Sequence, residues 1–245
     1  MKELLLALVA FFVIMSQHAL AETVKVGLEP LPPLITEDGK GYTIAMLRAI
    51  EQVSELEFDI QIMIYERAKK SLKDGSVDIM GHTPYQSEVK SFYTYAQEIN
   101  WSVPAVCDFY ARDKVVLDNP KEHQLGTPRG NGGFFSELLG IPMEQFYEAR
   151  LENLLKMLYK GRSSVEVFIF ERGSTMSTIK KLQLTDVYYT DAELNLRASL
   201  AVSKSNKGYR LKNILEASIL KIDHDKVFKT YNYYLNMPKS GKVVW

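Results

Sequence analysis

The sequence predicts an α/β protein built as two lobes. Segments with strand-like alternation and segments with helix-like spacing take turns along the chain, which is the pattern of α/β layers with mainly parallel strands. They fall into two βαβ sets, one within residues 23–80 and one within 124–182, with an extended stretch at 101–111 between them. The apolar content of 46% is enough for a packed core, and the single cysteine, Cys107, excludes an internal disulfide, so stability must come from burial.

The elements follow in order. Residues 23–28 (TVKVGL) are rich in β-branched side chains and read as a buried strand. Residues 29–33 (EPLPP) must be a loop, because proline neither donates to a ladder nor continues a helix. After the turn at Asp38-Gly39-Lys40-Gly41, the apolar residues Ile44, Leu47, Ile50 and Val53 mark one helix face, with Thr43 as its expected N-cap. A strand over 58–64 and a short helix over 67–73 come next, and Gly75 is expected as a left-handed cap. A third strand over 77–80 is expected to break at Gly81-His82-Thr83-Pro84.

In the second set, residues 124–127 read as a strand running into the glycine-rich loop Pro128-Arg129-Gly130-Asn131-Gly132-Gly133. Two helices follow, the second carrying Leu151, Leu154, Leu155 and Leu158 and ending at Gly161. Residues 165–170 (VEVFIF) are a buried strand, 174–182 a helix and 197–202 another extended segment. Leu211, Ile214, Leu215 and Ile219 mark a helix, and Val227, Phe228, Tyr231 and Leu235 a last one.

The first 21 residues have the three parts of a secretory signal: a positive end at Lys2, an apolar run over 4–15, and small residues at Ala19-Leu20-Ala21. Cleavage is expected after Ala21, with the protein released outside the cytoplasm, in a periplasm, and not held in a membrane. The run is shorter than the roughly 20 residues of a membrane span. A net charge of +0 supplies no electrostatic case for nucleic acid. His82, His123 and His224 stand at no paired metal-ligand spacing, and no catalytic motif such as G-x-S-x-G is present, so neither a metal nor a cofactor is expected.

A series of local patterns, in order, resembles one known family. They are Gly27–Leu34 (GLEPLPPL), Gly39-Lys40-Gly41-Tyr42 leading into a helix, and Tyr65-Glu66-Arg67-Ala68 followed by residues 72–80 (LKDGSVDIM). Then come Gly81-His82-Thr83, Leu125-Gly126-Thr127, residues 161–171 (GRSSVEVFIFE) and Leu200-Ala201-Val202-Ser203-Lys204. Together they resemble the family 3 extracellular solute-binding proteins, the amino-acid-binding receptors of ABC transporters. The resemblance covers nearly all of residues 22–245. It implies a two-lobed periplasmic-binding-protein-like fold of type II. Lobe 1 would be 22–106 plus 203–245 and lobe 2 would be 107–202, joined by crossover strands near 103–112 and 200–203.

The resemblance also implies a function and a site. The protein would be a monomeric periplasmic receptor that closes on a small polar ligand, an amino acid or a related metabolite. It would deliver that ligand to an inner-membrane ABC permease or, alternatively, report it to a sensor protein. A cyclic-acid dehydratase on the same scaffold is a further alternative. Family members clamp the ligand carboxylate with an Arg a few residues after G-x-T; here that position is Glu88, and no Arg lies between Gly81 and Trp101. Glu171 matches the acid that holds a ligand ammonium. Tyr42 and Tyr65 match cleft aromatics, and Arg67 and Thr83 accompany them. The loop carrying Thr127, Arg129, Gly130 and Asn131 precedes a helix, so its free amides and the Arg129 fork suit an anion. Each of these residues has a plainer role open to it in core packing or on the solvated surface.

Overall fold

The computed structural model describes residues 22–161, 165–194 and 196–244; the expected export signal, residues 1–21, lies outside the described residues. The chain begins with β1 (Glu22–Leu28), α1 (Tyr42–Glu51), β2 (Leu56–Ile62), α2 (Tyr65–Asp74), β3 (Ile79–Pro84), β4 (Ala96–Glu98) and β5 (Val103–Ala105). It continues with β6 (Cys107–Ala111), β7 (Leu125–Pro128), α3 (Gly132–Leu139), β8 (Phe146–Ala149), α4 (Leu151–Lys160), β9 (Val167–Glu171), α5 (Arg172–Lys181) and β10 (Tyr188–Asp191). It ends with β11 (Leu196–Ser203), α6 (Asn206–Ile219), α7 (His224–Phe228), α8 (Asn232–Leu235) and β12 (Ser240–Lys242).

These strands form two separate mixed sheets. The first has the order β2-β1-β3-β11-β4, with β5 also on β11; the second has the order β12-β10-β6-β9-β7-β8. Pairing is parallel within each βαβ core, as β1 with β2 and β3, and β7 with β8 and β9. It is antiparallel where strands arriving from the other lobe join: β11 on β3, and β6 on β9. The two-lobed α/β architecture expected from the alternation of elements is therefore present.

Helix faces follow the sequence spacing. Helix α1 buries Ile44, Met46, Leu47 and Ile50, and α4 buries Leu154, Leu155 and Leu158 against the second sheet. A fully buried leucine contributes roughly 1.5–3 kcal/mol, so the α4 stripe alone anchors that helix. Gly75 caps α2 at φ 79°, a left-handed conformation that glycine adopts without a Cβ clash.

Several local expectations change. The N-cap of α1 is Gly41, and Thr43 lies buried in the first turn, where its Oγ1 pairs with His82 Nε2 at 3.0 Å. Strand β3 does not break at Gly81 but runs on to Pro84, because β11 pairs along it with a register shift at Ser199/Leu200. The last expected helix is two short ones, α7 and α8.

The division between the lobes also differs. The first crossing falls at Val106, between β5 of the first sheet and β6 of the second. The second crossing was expected at 200–203, yet β11 lies wholly in the first sheet from Leu196 onward. The C-terminal segment was expected to stay in lobe 1. Instead α7 packs on α1, α8 packs on α5, and β12 pairs antiparallel with β10 at the edge of the second sheet. The chain thus passes between the lobes a third time.

That third crossing is tied down by a buried ion pair. Arg172, at the start of α5, donates from Nε to Asp108 Oδ2 at 2.7 Å and from Nη2 to Asp108 Oδ1 at 2.6 Å. Both residues are almost wholly inaccessible. The bidentate geometry offsets the cost of desolvating the two charges. The same guanidinium reaches the carbonyls of Tyr234 and Met237, on the returning segment.

Candidate functional site

The C-terminal end of a strand is where open α/β sheets present ligand-binding loops. In this chain the ends of β1, β3 and β9 meet from opposite lobes. The loop after β1 brings Glu29 and Leu31; the end of β3 brings His82 and Thr83; the end of β9 brings Phe170 and Glu171. With Tyr65, Glu88, Asn131 and Phe134 they line a small cavity of about 70 Å³. The lobes touch around it. Asn131 of lobe 2 lies beside the Glu29 side chain of lobe 1, and both line the cavity. Gly130, at φ 92°, lies so near that a Cβ there would sit 3.3 Å from the Glu66 backbone nitrogen. The cleft is closed.

A wider opening of about 390 Å³ lies at the cleft mouth, between Pro30, Pro32 and Asp38 on one side and Glu152 and Lys181 on the other. Its one cation is already paired: Lys181 Nζ stands 2.6 Å from Glu152 Oε1. The inner cavity differs in holding buried polar atoms without partners. Both His82 Nδ1 and Thr83 Oγ1 lack a hydrogen-bond partner among the described residues. Leaving such groups unpaired costs about 1–3 kcal/mol each, a cost that a bound molecule would remove.

The three carboxyls of this cavity stand in different states. Glu171 is the N-cap of α5. Its oxygens accept from the Gly173 amide at 2.8 Å, the Ser174 amide at 2.6 Å, the Ser174 hydroxyl at 2.7 Å and the Tyr231 hydroxyl at 3.1 Å. Burial still raises its pKa above the usual carboxylate value. The neighbouring Arg172 is not its partner, being held by Asp108. Glu88 accepts from the Tyr65 hydroxyl and from the Val89 amide at 3.0 Å, and Lys69 Nζ stands 3.6 Å away. It is a buried, paired group and not a solvated helix residue. Glu29 is the least satisfied. Burial pushes its carboxyl up to about 8, against the opposing effects of Asn131 and Lys69. It is therefore largely protonated at neutral pH. Burial also holds His82 down at about 4, so its imidazole is neutral.

Of the other residues singled out from the sequence, Tyr65, Thr83, Glu88, Asn131 and Glu171 line the cavity together. Tyr42 does not; its ring packs 6.3 Å from Phe228, in the lobe 1 core. Arg67 and Arg129 are exposed, and neither lines the cavity. Thr127 is fully buried in β7, away from the cavity, with Oγ1 unpartnered among the described residues.

The loop of 127–133 needs a correction. Its amides were expected to be free for a ligand anion. The Gly130 and Gly132 amides instead both donate to Glu148 Oε1, at 3.0 and 2.6 Å. An internal carboxylate on the neighbouring strand β8 already fills the position.

Sequence reasoning missed Glu29, Phe134 and Phe170 as cleft residues. Glu29 carried a readable signal: an acid directly after a buried strand and before Pro30, at the strand end that faces a ligand in this class of sheet. Phe134 and Phe170 carried none, because an apolar residue in a helix or buried strand reads equally as core.

No known family model matches the sequence, and no curated protein matches it. Solved structures do match in fold. A histidine kinase sensor domain with similarity to periplasmic binding proteins aligns with a TM-score of 0.73 at 15% identity, covering 90% of this chain and 99% of that one. The VFT2 domain of Bordetella pertussis BvgS aligns with a TM-score of 0.71 at 16% identity, covering 91% and 96%. An ABC uptake transporter substrate-binding protein from Streptococcus pneumoniae, solved with bound histidine, aligns with a TM-score of 0.71 at 14% identity, covering 90% and 95%. The chain has the two-lobed fold that these substrate-binding proteins and sensor domains share.

Proposed function

We propose that the protein is an exported solute receptor that closes its two lobes on a small polar ligand and presents the closed form to an ABC-type uptake system. The observation that carries this reading is the interlobe cavity. Both lobes line it, and it holds two buried polar atoms, His82 Nδ1 and Thr83 Oγ1, that only a bound molecule or water would satisfy. Ligand binding favours the closed form by the difference in affinity between closed and open states. The described residues contain no helix long and apolar enough to cross a membrane.

A second reading, a receptor feeding a signalling protein, draws on the fold likeness to a histidine kinase sensor domain. Both readings require ligand binding, and a thermal-shift screen of small metabolites tests it. A true ligand raises the melting temperature in step with its concentration over its dissociation constant. No shift across amines, amino acids, organic acids and small sugars would overturn the receptor reading. Turnover of a cyclic acid by the purified protein would replace it with the dehydratase alternative.

A further inference from the structure

The charge of the ligand can be read from what the cavity has left unspent. Glu88 and Glu171 are committed to internal donors, as described above. Glu29 faces the cavity with Asn131 as its near partner, beside the unpartnered His82 Nδ1 and Thr83 Oγ1. Hydroxyl and neutral imidazole can accept from an N–H donor, and so can the Glu29 carboxyl, which releases its proton to solvent when a cation takes its place.

The structure offers little to an anion. Arg197 is the only cationic side chain among the residues that line the cavity. It is exposed, and it already donates from Nε to the Ser102 hydroxyl at 2.7 Å and from Nη2 to the Ser102 carbonyl at 2.8 Å. Lys69 stands beside Glu88 and over the Tyr65 ring. The amide pair of Gly130 and Gly132 closes on Glu148. A ligand carboxylate would therefore enter as a fourth acid among Glu29, Glu88 and Glu171, with no uncommitted cation to receive it. Like charges at this range disfavour each other's ionised forms. The remaining wall is apolar, with Leu31, Phe134, Phe170 and Leu196.

We infer that the cavity takes a small organic ammonium with an apolar body and no carboxylate, its nitrogen held by Glu29 and Thr83. The inference rests on the receptor reading and narrows its ligand class away from amino acids. At about 70 Å³ the closed cavity is about half the ~150 Å³ of an engineered cavity that binds benzene, so the closest fits have only a few heavy atoms.

The test is calorimetric titration at pH 7 with matched pairs. Isobutylamine is paired with valine, which is the same skeleton carrying an α-carboxylate, and propylamine is paired with 2-aminobutyrate on the same logic. Isobutanol serves as the neutral control. The expected result is that at least one amine binds at least tenfold more tightly than its amino acid and than isobutanol. Glu29→Gln and, separately, Thr83→Val should each weaken that amine at least tenfold, while Arg129→Ala, exposed and outside the cavity, leaves it within threefold. Equal or tighter binding of the amino acid overturns the inference, as does loss of binding in Arg129→Ala or unchanged binding in both cavity variants. If both amines fail but another compound in the wider screen raises the melting temperature, the inference falls and the receptor reading stands. If nothing in that screen binds, both fall.

Discussion

Replacing Glu29 with glutamine is expected to stabilise the protein at alkaline pH and to remove a pH dependence that the wild type shows. Burial raises the Glu29 carboxyl from 4.5 to about 8. A carboxyl whose folded pKa is raised contributes stability that is fully present below its unfolded pKa and is lost as pH rises through the folded one. His82 acts in the opposite sense. Burial lowers it from 6.5 to about 4, so its contribution is lost as pH falls through that window. Between pH 4.5 and 6.5 the two slopes oppose each other, and above 6.5 Glu29 acts alone of the pair. One and a half pH units, at about 1.4 kcal/mol each, give a loss of about 2 kcal/mol between pH 6.5 and 8. For a chain of this size that corresponds to a fall of about 4–8 °C in melting temperature. Glutamine keeps the shape and polarity of the side chain beside Asn131 and has no carboxyl proton to lose. Urea unfolding of both proteins at pH 6.5 and 8.0 should show the loss in wild type and not in Glu29→Gln. An equal loss in both, or none in either, would refute the burial of Glu29 between the lobes.

Three more outcomes follow from the same geometry. Asp108→Ala leaves Arg172 buried without its bidentate partner and should cost about 3–5 kcal/mol in urea unfolding, with α8 and β12 becoming more accessible to hydrogen exchange. Glu148→Ala leaves the Gly130 and Gly132 amides without their shared acceptor and should cost about 1–3 kcal/mol; added sulfate should recover part of it, measured as a rise in melting temperature absent from wild type. Gly130→Ala puts a Cβ on a residue at φ 92° and against the Glu66 backbone across the cleft, so small-angle scattering should show a larger radius of gyration than wild type.

Much of the fold is legible in the sequence because local signals and tertiary structure agree. The leucine spacing in α4, the left-handed glycines at Gly75 and Gly161 and the β-branched run of β1 each specify an element whatever surrounds it. Expectations fail where a distant segment decides. Strand β3 continues past Gly81 because β11 lies beside it, and β11 arrives from more than a hundred residues away. The tail from α7 to β12 returns to lobe 2 because Arg172 and β10 receive it, and neither is visible from the tail's own residues. The site divides in the same way. The family resemblance singles out Tyr65, Thr83, Glu88 and Glu171, and the loop before α3 singles out Asn131; these five line the cavity. The state of each acid was not legible, because it depends on how many donors the folded chain supplies. Glu171 receives four hydrogen bonds, whereas Glu29 is left raised to about 8. The loop at 127–133 has the sequence of an anion site, and only the pairing of β7 with β8 brings Glu148 to fill it.

The central claim is that residues of both lobes meet on one ligand. Affinity for the compound that most raises the melting temperature tests it directly, measured by calorimetry in wild type, in Thr83→Val on lobe 1 and in Phe134→Ala on lobe 2. A ligand held in the closed cavity should lose at least tenfold in affinity with either substitution. Unchanged affinity in either variant would place the ligand on a single lobe and contradict the account.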